Sequence, residues 1–200
     1  MVGAGRPYLL VRDLELDLPR RPAAREVRGE ALWAAVNCET AHEHWSVGLE
    51  AFGVAMDDPD EALGQERGDR IGLGLDLEWE SASPLLGGAG GYEQSCQVHG
   101  EVLVGVGASV ETVAVAGHGW RRHAWGAVDW SAPRWTLRGR GDDGVPVVAD
   151  TAVATPVRPL HRAPLRLGDG PSPAVLERTL VALVGSGGTG WVEEVRPGPR

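Results

Sequence analysis

Two stretches of the chain collect residues able to do chemistry. The longer is Gly117-His118-Gly119-Trp120-Arg121-Arg122-His123-Ala124-Trp125-Gly126-Ala127-Val128-Asp129-Trp130. In an extended chain, side chains two apart share a face, so His123, Trp125 and Asp129 form one group. An imidazole, a carboxylate and indoles in one stretch make an acid–base site in an apolar cavity. Burial would favour the protonated form of Asp129, and a nearby arginine would oppose it. The structural alternative has His and Arg bonding to carbonyls, Trp packing, and Asp129 paired with Arg121 or Arg122.

The shorter stretch is His42-Glu43-His44-Trp45, followed by Glu50. On a strand His42 and His44 face the same way, and an H-x-H pair can present two imidazoles to zinc. A third ligand would come from elsewhere, such as His118 or His123. Without it the pair forms a hydrogen-bonded wall, and that reading expects no metal. Asp76, Glu78 and Glu80 lie opposite the apolar face of their strand. They are solvated there unless the strand lines a barrel, where a carboxylate could serve as an acid. No phosphate-binding Gly-rich loop opens a helix, and no G-x-S-x-G nucleophile turn occurs.

The elements that must hold these residues read as strands. Leu14, Leu16 and Leu18 alternate, as does the run from His44 to Met56. Ile71, Leu73, Leu75, Leu77 and Trp79 mark the clearest strand of all. Asp57-Asp58-Pro59-Asp60 predicts a turn, and Gly141-Asp142-Asp143-Gly144 predicts a hairpin. Residues 172–184 read as a helix capped by Ser172, or as a strand rich in β-formers. Many short strands with frequent turns predict an all-β barrel or sandwich. The glycine run Gly87–Gly91 divides the chain into halves, residues 1–86 and 87–200.

Composition narrows the partners. All 19 basic residues are arginine and the net charge is -9. Without a basic run, nucleic acid and anionic membrane surfaces are poor partners. No apolar run reaches membrane-spanning length and no export signal is visible, so a cytoplasmic protein is expected, its Cys38 and Cys96 reduced. There are 8 Trp against 2 Tyr and 1 Phe. Such an excess of indole suits either a cavity lined for an apolar ligand or a small core poor in Phe.

Tyr92-Glu93-Gln94, Gly100, the Gly117–Gly126 run and Asp129-Trp130 together resemble the motif of the carotenoid 1,2-hydratase (hydroxyneurosporene synthase) and AttH-like group. Cys38-Glu39-Thr40, His44-Trp45 and Gly48-Leu49-Glu50-Ala51 are similar to bacterial relatives of that group. The resemblance covers about Gly29 to Trp135. It implies two lipocalin-like (calycin) β-barrel halves, here joined near residues 83–91 and trimmed or merged to fit 200 residues. It also implies an apolar substrate and acid catalysis without a cofactor, in which a carboxylic acid protonates a double bond and aromatic rings stabilise the cation.

On that reading the chain is a cyclase or hydratase acting on a terpenoid- or polyketide-like small molecule. Asp129 or Asp76 is the expected acid and His123 its partner, with Glu50 a further candidate. Trp45, His44, Trp79, Tyr92, Trp120, Trp125 and Trp130 are the expected substrate walls. A non-catalytic carrier of a hydrophobic ligand would use the same cavity without an acid.

Overall fold

The computed structural model describes residues 8–12, 26–64, 67–127, 129, 132–151, 156–168 and 173–198. Leu14, Leu16, Leu18, Trp130 and Ser172 lie outside the described residues. Thirteen strands run through the described residues. They are β1 (Tyr8–Leu10), β2 (Glu26–Arg28), β3 (Leu32–Thr40), β4 (His44–Met56), β5 (Arg70–Ser81), β6 (Leu86–Gly88) and β7 (Gly91–Val104). After these come β8 (Glu111–Ala124), β9 (Arg134–Arg140), β10 (Pro146–Ala149), β11 (Val157–Leu167), β12 (Ala174–Leu183) and β13 (Thr189–Pro197). The chain is all-β, with β1–β8 in one antiparallel sheet and β9–β13 in another.

Two compact units result. One comprises Leu9–Ala55 and Gly68–Trp125, and the other Met1–Tyr8, Met56–Arg67 and Gly126–Arg200. The Gly87–Gly91 run lies inside the first unit, where Gly88 opposes Gly91 in the β6–β7 hairpin. Glycine suits that turn because two backbones close on each other there, and a methyl on Gly91 would press on the His123 carbonyl.

In the first unit β3, β4, β5, β7 and β8 form a meander of long antiparallel pairs. Alternation in β5 puts Leu73, Leu75, Leu77 and Trp79 on one face, with Ala51, Leu49, Val47 and Trp45 beside them on β4. Val104, Val102 and Val98 continue that face on β7. Asp76, Glu78 and Glu80 take the other face, as period two requires.

The second unit has its own core. Leu137, Val181, Leu183 and Val192 are buried together, and Trp135, Val147, Ala149 and Val157 pack around them. Each such side chain stabilises the fold by about 1.5–3 kcal/mol. Residues 174–183, open to a helical reading in the sequence, are strand β12 because β11 and β13 pair with both of its edges. Ladders on both sides outweigh a weak local preference for helix. A bidentate ion pair from Arg162 to Glu177 joins β11 to β12.

Candidate functional site

Register places the chemistry-bearing residues of the first unit. The pairing of β7 with β8 runs without a break from Val104 opposite Glu111 to Gly91 opposite Ala124. Tyr92 therefore faces His123, Gln94 faces Arg121, and Cys96 faces Gly119. Parity carries these residues onto the same face as Trp79 and its β4 neighbour Trp45. Gly119 has a clear task, since a methyl there would overlap the Trp79 indole. Gly117, two residues earlier, meets no such neighbour.

Arg121 is the centre of this corner. Its guanidinium carbon stands 4.6 Å from the Trp45 ring centre and 5.2 Å from that of Tyr92. One Nη donates to Gln94 Oε1 at 2.7 Å and the other to the Tyr92 hydroxyl at 3.3 Å. Gln94 is 4% exposed. Its amide nitrogen donates to the carbonyls of His42 and Ser83, each at 3.0 Å. Arg121 Nε, Trp45 Nε1 and Trp79 Nε1 are buried and meet no acceptor among the described residues. Burial pushes the Cys96 thiol up, and the neighbouring Arg121 draws it down by less.

Aromatic rings border the corner. Tyr92 lies 5.4 Å from His42 and from His123, and 6.4 Å from Trp125. Trp125 is half exposed, with Nε1 donating to the Ala89 carbonyl at 3.1 Å. His42 occupies a turn closed by a bond from Glu43 N to Thr40 O, and its φ of 63° is rare for a residue with a side chain. Gln94 grips this turn by its carbonyl, which holds the His42 ring against Tyr92.

The expected H-x-H face does not form. His42 is in the turn, while His44 on β4 turns to the opposite face and meets Glu78 at 2.6 Å. Among the described residues no three of His, Cys, Asp and Glu gather so as to hold a metal ion. Cys38 and Cys96 are both free.

Of the expected residues, Trp45, Trp79, Tyr92, His123 and Trp125 come together on one face or at its border. Trp120 and His44 take the other face, where Trp120 opposes Ser95. Glu50 and the exposed Asp76 also take that face. There Glu50 lines an open groove of about 710 Å³ with Trp33, Phe52, Gly74 and Leu103. Asp129 is exposed and belongs to the other unit. The parity argument that grouped it with His123 fails, since β8 ends at Ala124 and Gly126 turns the chain at φ 103°. Sequence reasoning missed Arg121 and Gln94 as the organising pair. The available signal was a glutamine in the buried parity of β7, between Tyr92 and Cys96.

No curated protein and no solved structure matches the chain significantly. A family profile described as "Domain of unknown function (DUF7064)" matches residues 1–193. The chain, with its aromatic corner on a β meander, therefore belongs to the DUF7064 family.

Proposed function

We propose that the first unit is a lipocalin-like half-barrel that binds an apolar small molecule, and that the protein is a cofactor-independent cyclase or hydratase of terpenoid- or polyketide-like substrates. One observation carries the reading. The apolar face formed by residues such as Leu49, Leu75, Leu77 and Val102 stays only half buried, and it leads into the Trp45–Trp79–Tyr92 corner. A partly exposed apolar face of this kind suits an apolar ligand or partner. An up-and-down order of long antiparallel strands is also the connectivity of lipocalin-like barrels.

Cavity shaping is the better supported half of the mechanism. The face can align a flexible polyene in a reactive conformation. The carboxylates expected as acids, Asp129, Asp76 and Glu50, are all exposed, so an acid role requires the bound substrate to cover one of them. The test is to incubate the purified protein with a panel of polyene and terpenoid alcohols, acids and hydrocarbons, analysing products by mass spectrometry. A cyclised or hydrated product is expected. Ligands that bind and return unchanged would make the protein a carrier.

A further inference from the structure

We infer that the ligand of this corner is an apolar carboxylic acid, its carboxylate held by Arg121, Trp45 and Trp79. This rests on the small-molecule reading above and names the chemistry of the head group.

Arg121 is half buried, and among the described residues no carboxylate pairs with it. Its hydrogen-bond partners, Gln94 Oε1 and the Tyr92 hydroxyl, are neutral acceptors. Burial pushes the Cys96 thiol up by more than Arg121 draws it down, away from the thiolate. A guanidinium drawn out of water with no counter-ion is costly, and an incoming anion removes that cost.

Hydrogen bonding points the same way. Three buried N–H groups on one face, from Arg121, Trp45 and Trp79, lack acceptors. Indole and guanidinium nitrogens donate only, so each can be satisfied only by an acceptor brought from outside. Two carboxylate oxygens carry about four acceptor sites and the matching charge. A hydrocarbon would leave every donor unpaired, and an alcohol would leave the charge unbalanced. The rest of the ligand is apolar, because the face that leads away from the corner is lined by Leu and Val. An alkene-derived cation over Trp45 would meet a place already taken by the guanidinium, 4.6 Å from the ring centre.

The probes are cis-parinaric acid, a conjugated tetraene carboxylic acid, and its methyl ester, titrated by fluorescence into the full chain. The acid is expected to bind about tenfold more tightly or better, as a hydrogen-bonded charge pair allows. In Arg121→Gln that preference should disappear while the ester binds as before. Trp45→Phe and Trp79→Phe remove the N–H groups together with part of each ring, and each should weaken the acid several-fold more than it weakens the ester. These two stand in if Arg121→Gln fails to fold. Acid and ester binding equally well to the wild type would overturn the carboxylate assignment and leave the apolar site standing. Neither probe binding would overturn both readings.

Discussion

The guanidinium of Arg121 lies between the rings of Trp45 and Tyr92, and Gln94 fixes it there by a 2.7 Å hydrogen bond. Gln94 uses its other end to hold the carbonyls of His42 and Ser83. One buried side chain thus ties β7 to β8, to the turn before β4 and to the segment after β5.

Gln94→Leu should be costly for that reason. It removes the shorter of the two Arg121 hydrogen bonds and leaves two carbonyls without the Gln94 amide, at about 1–3 kcal/mol for each buried group that water cannot reach. A loss of about 2–4 kcal/mol is expected in urea unfolding, with the slope unchanged. Gln94→Glu asks a different question, since its carboxylate would neutralise Arg121. That variant should lose the preference for cis-parinaric acid over its methyl ester, which the same fluorescence titration reads.

Gly119 and Gly117 make a matched pair. A methyl at Gly119 overlaps the Trp79 indole, whereas at Gly117 it meets nothing. Gly119→Ala should destabilise by about 1–3 kcal/mol, the usual cost of overpacking, and displace Trp79. Gly117→Ala should be neutral or stabilise by up to about 1 kcal/mol, because glycine is the more flexible residue in the unfolded chain. Thermal melts of the two variants side by side check this, and equal losses would contradict it.

Acid should loosen the second unit through Glu177. Hydrogen bonds from Arg162 hold the Glu177 carboxyl below its usual range; partial burial opposes them and Arg196 adds to them. A carboxyl with a depressed folded pKa stabilises the protein above its unfolded value. That contribution is lost as pH falls through the folded value. Arg162 is 41% exposed, so the contribution is small, about 1 kcal/mol even for this bidentate geometry. Glu177→Gln should therefore be less stable than wild type by about that amount at neutral pH. The gap should close below about pH 4, as denaturant midpoints across pH would show.

The alternation of apolar residues marked β4 and β5 from the sequence, because a strand's two faces are set by each residue's own position. The turn at Asp57–Asp60 was equally legible, since Asp58 caps the short 3-10 turn Pro59–Leu63 from within the same few residues. His42 shows where local reading stops. Period two put it beside His44, but a turn at φ 63° set the two on different faces.

The site depended more heavily still on distant pairing. Trp45, Trp79, Tyr92 and Trp125 stood out by residue type. Which residue would organise them did not, because Gln94 and Arg121 lie 27 positions apart and meet only through the β7–β8 register. Shifting that register by one residue would turn Arg121 to the other face and bring Trp120 or Arg122 in its place. Composition and alternation thus determined by themselves that this protein is built of strands with an apolar face. Only the tertiary structure decided that an arginine with neutral partners stands at its end, since strand register is a property of long-range hydrogen bonds rather than of neighbouring residues.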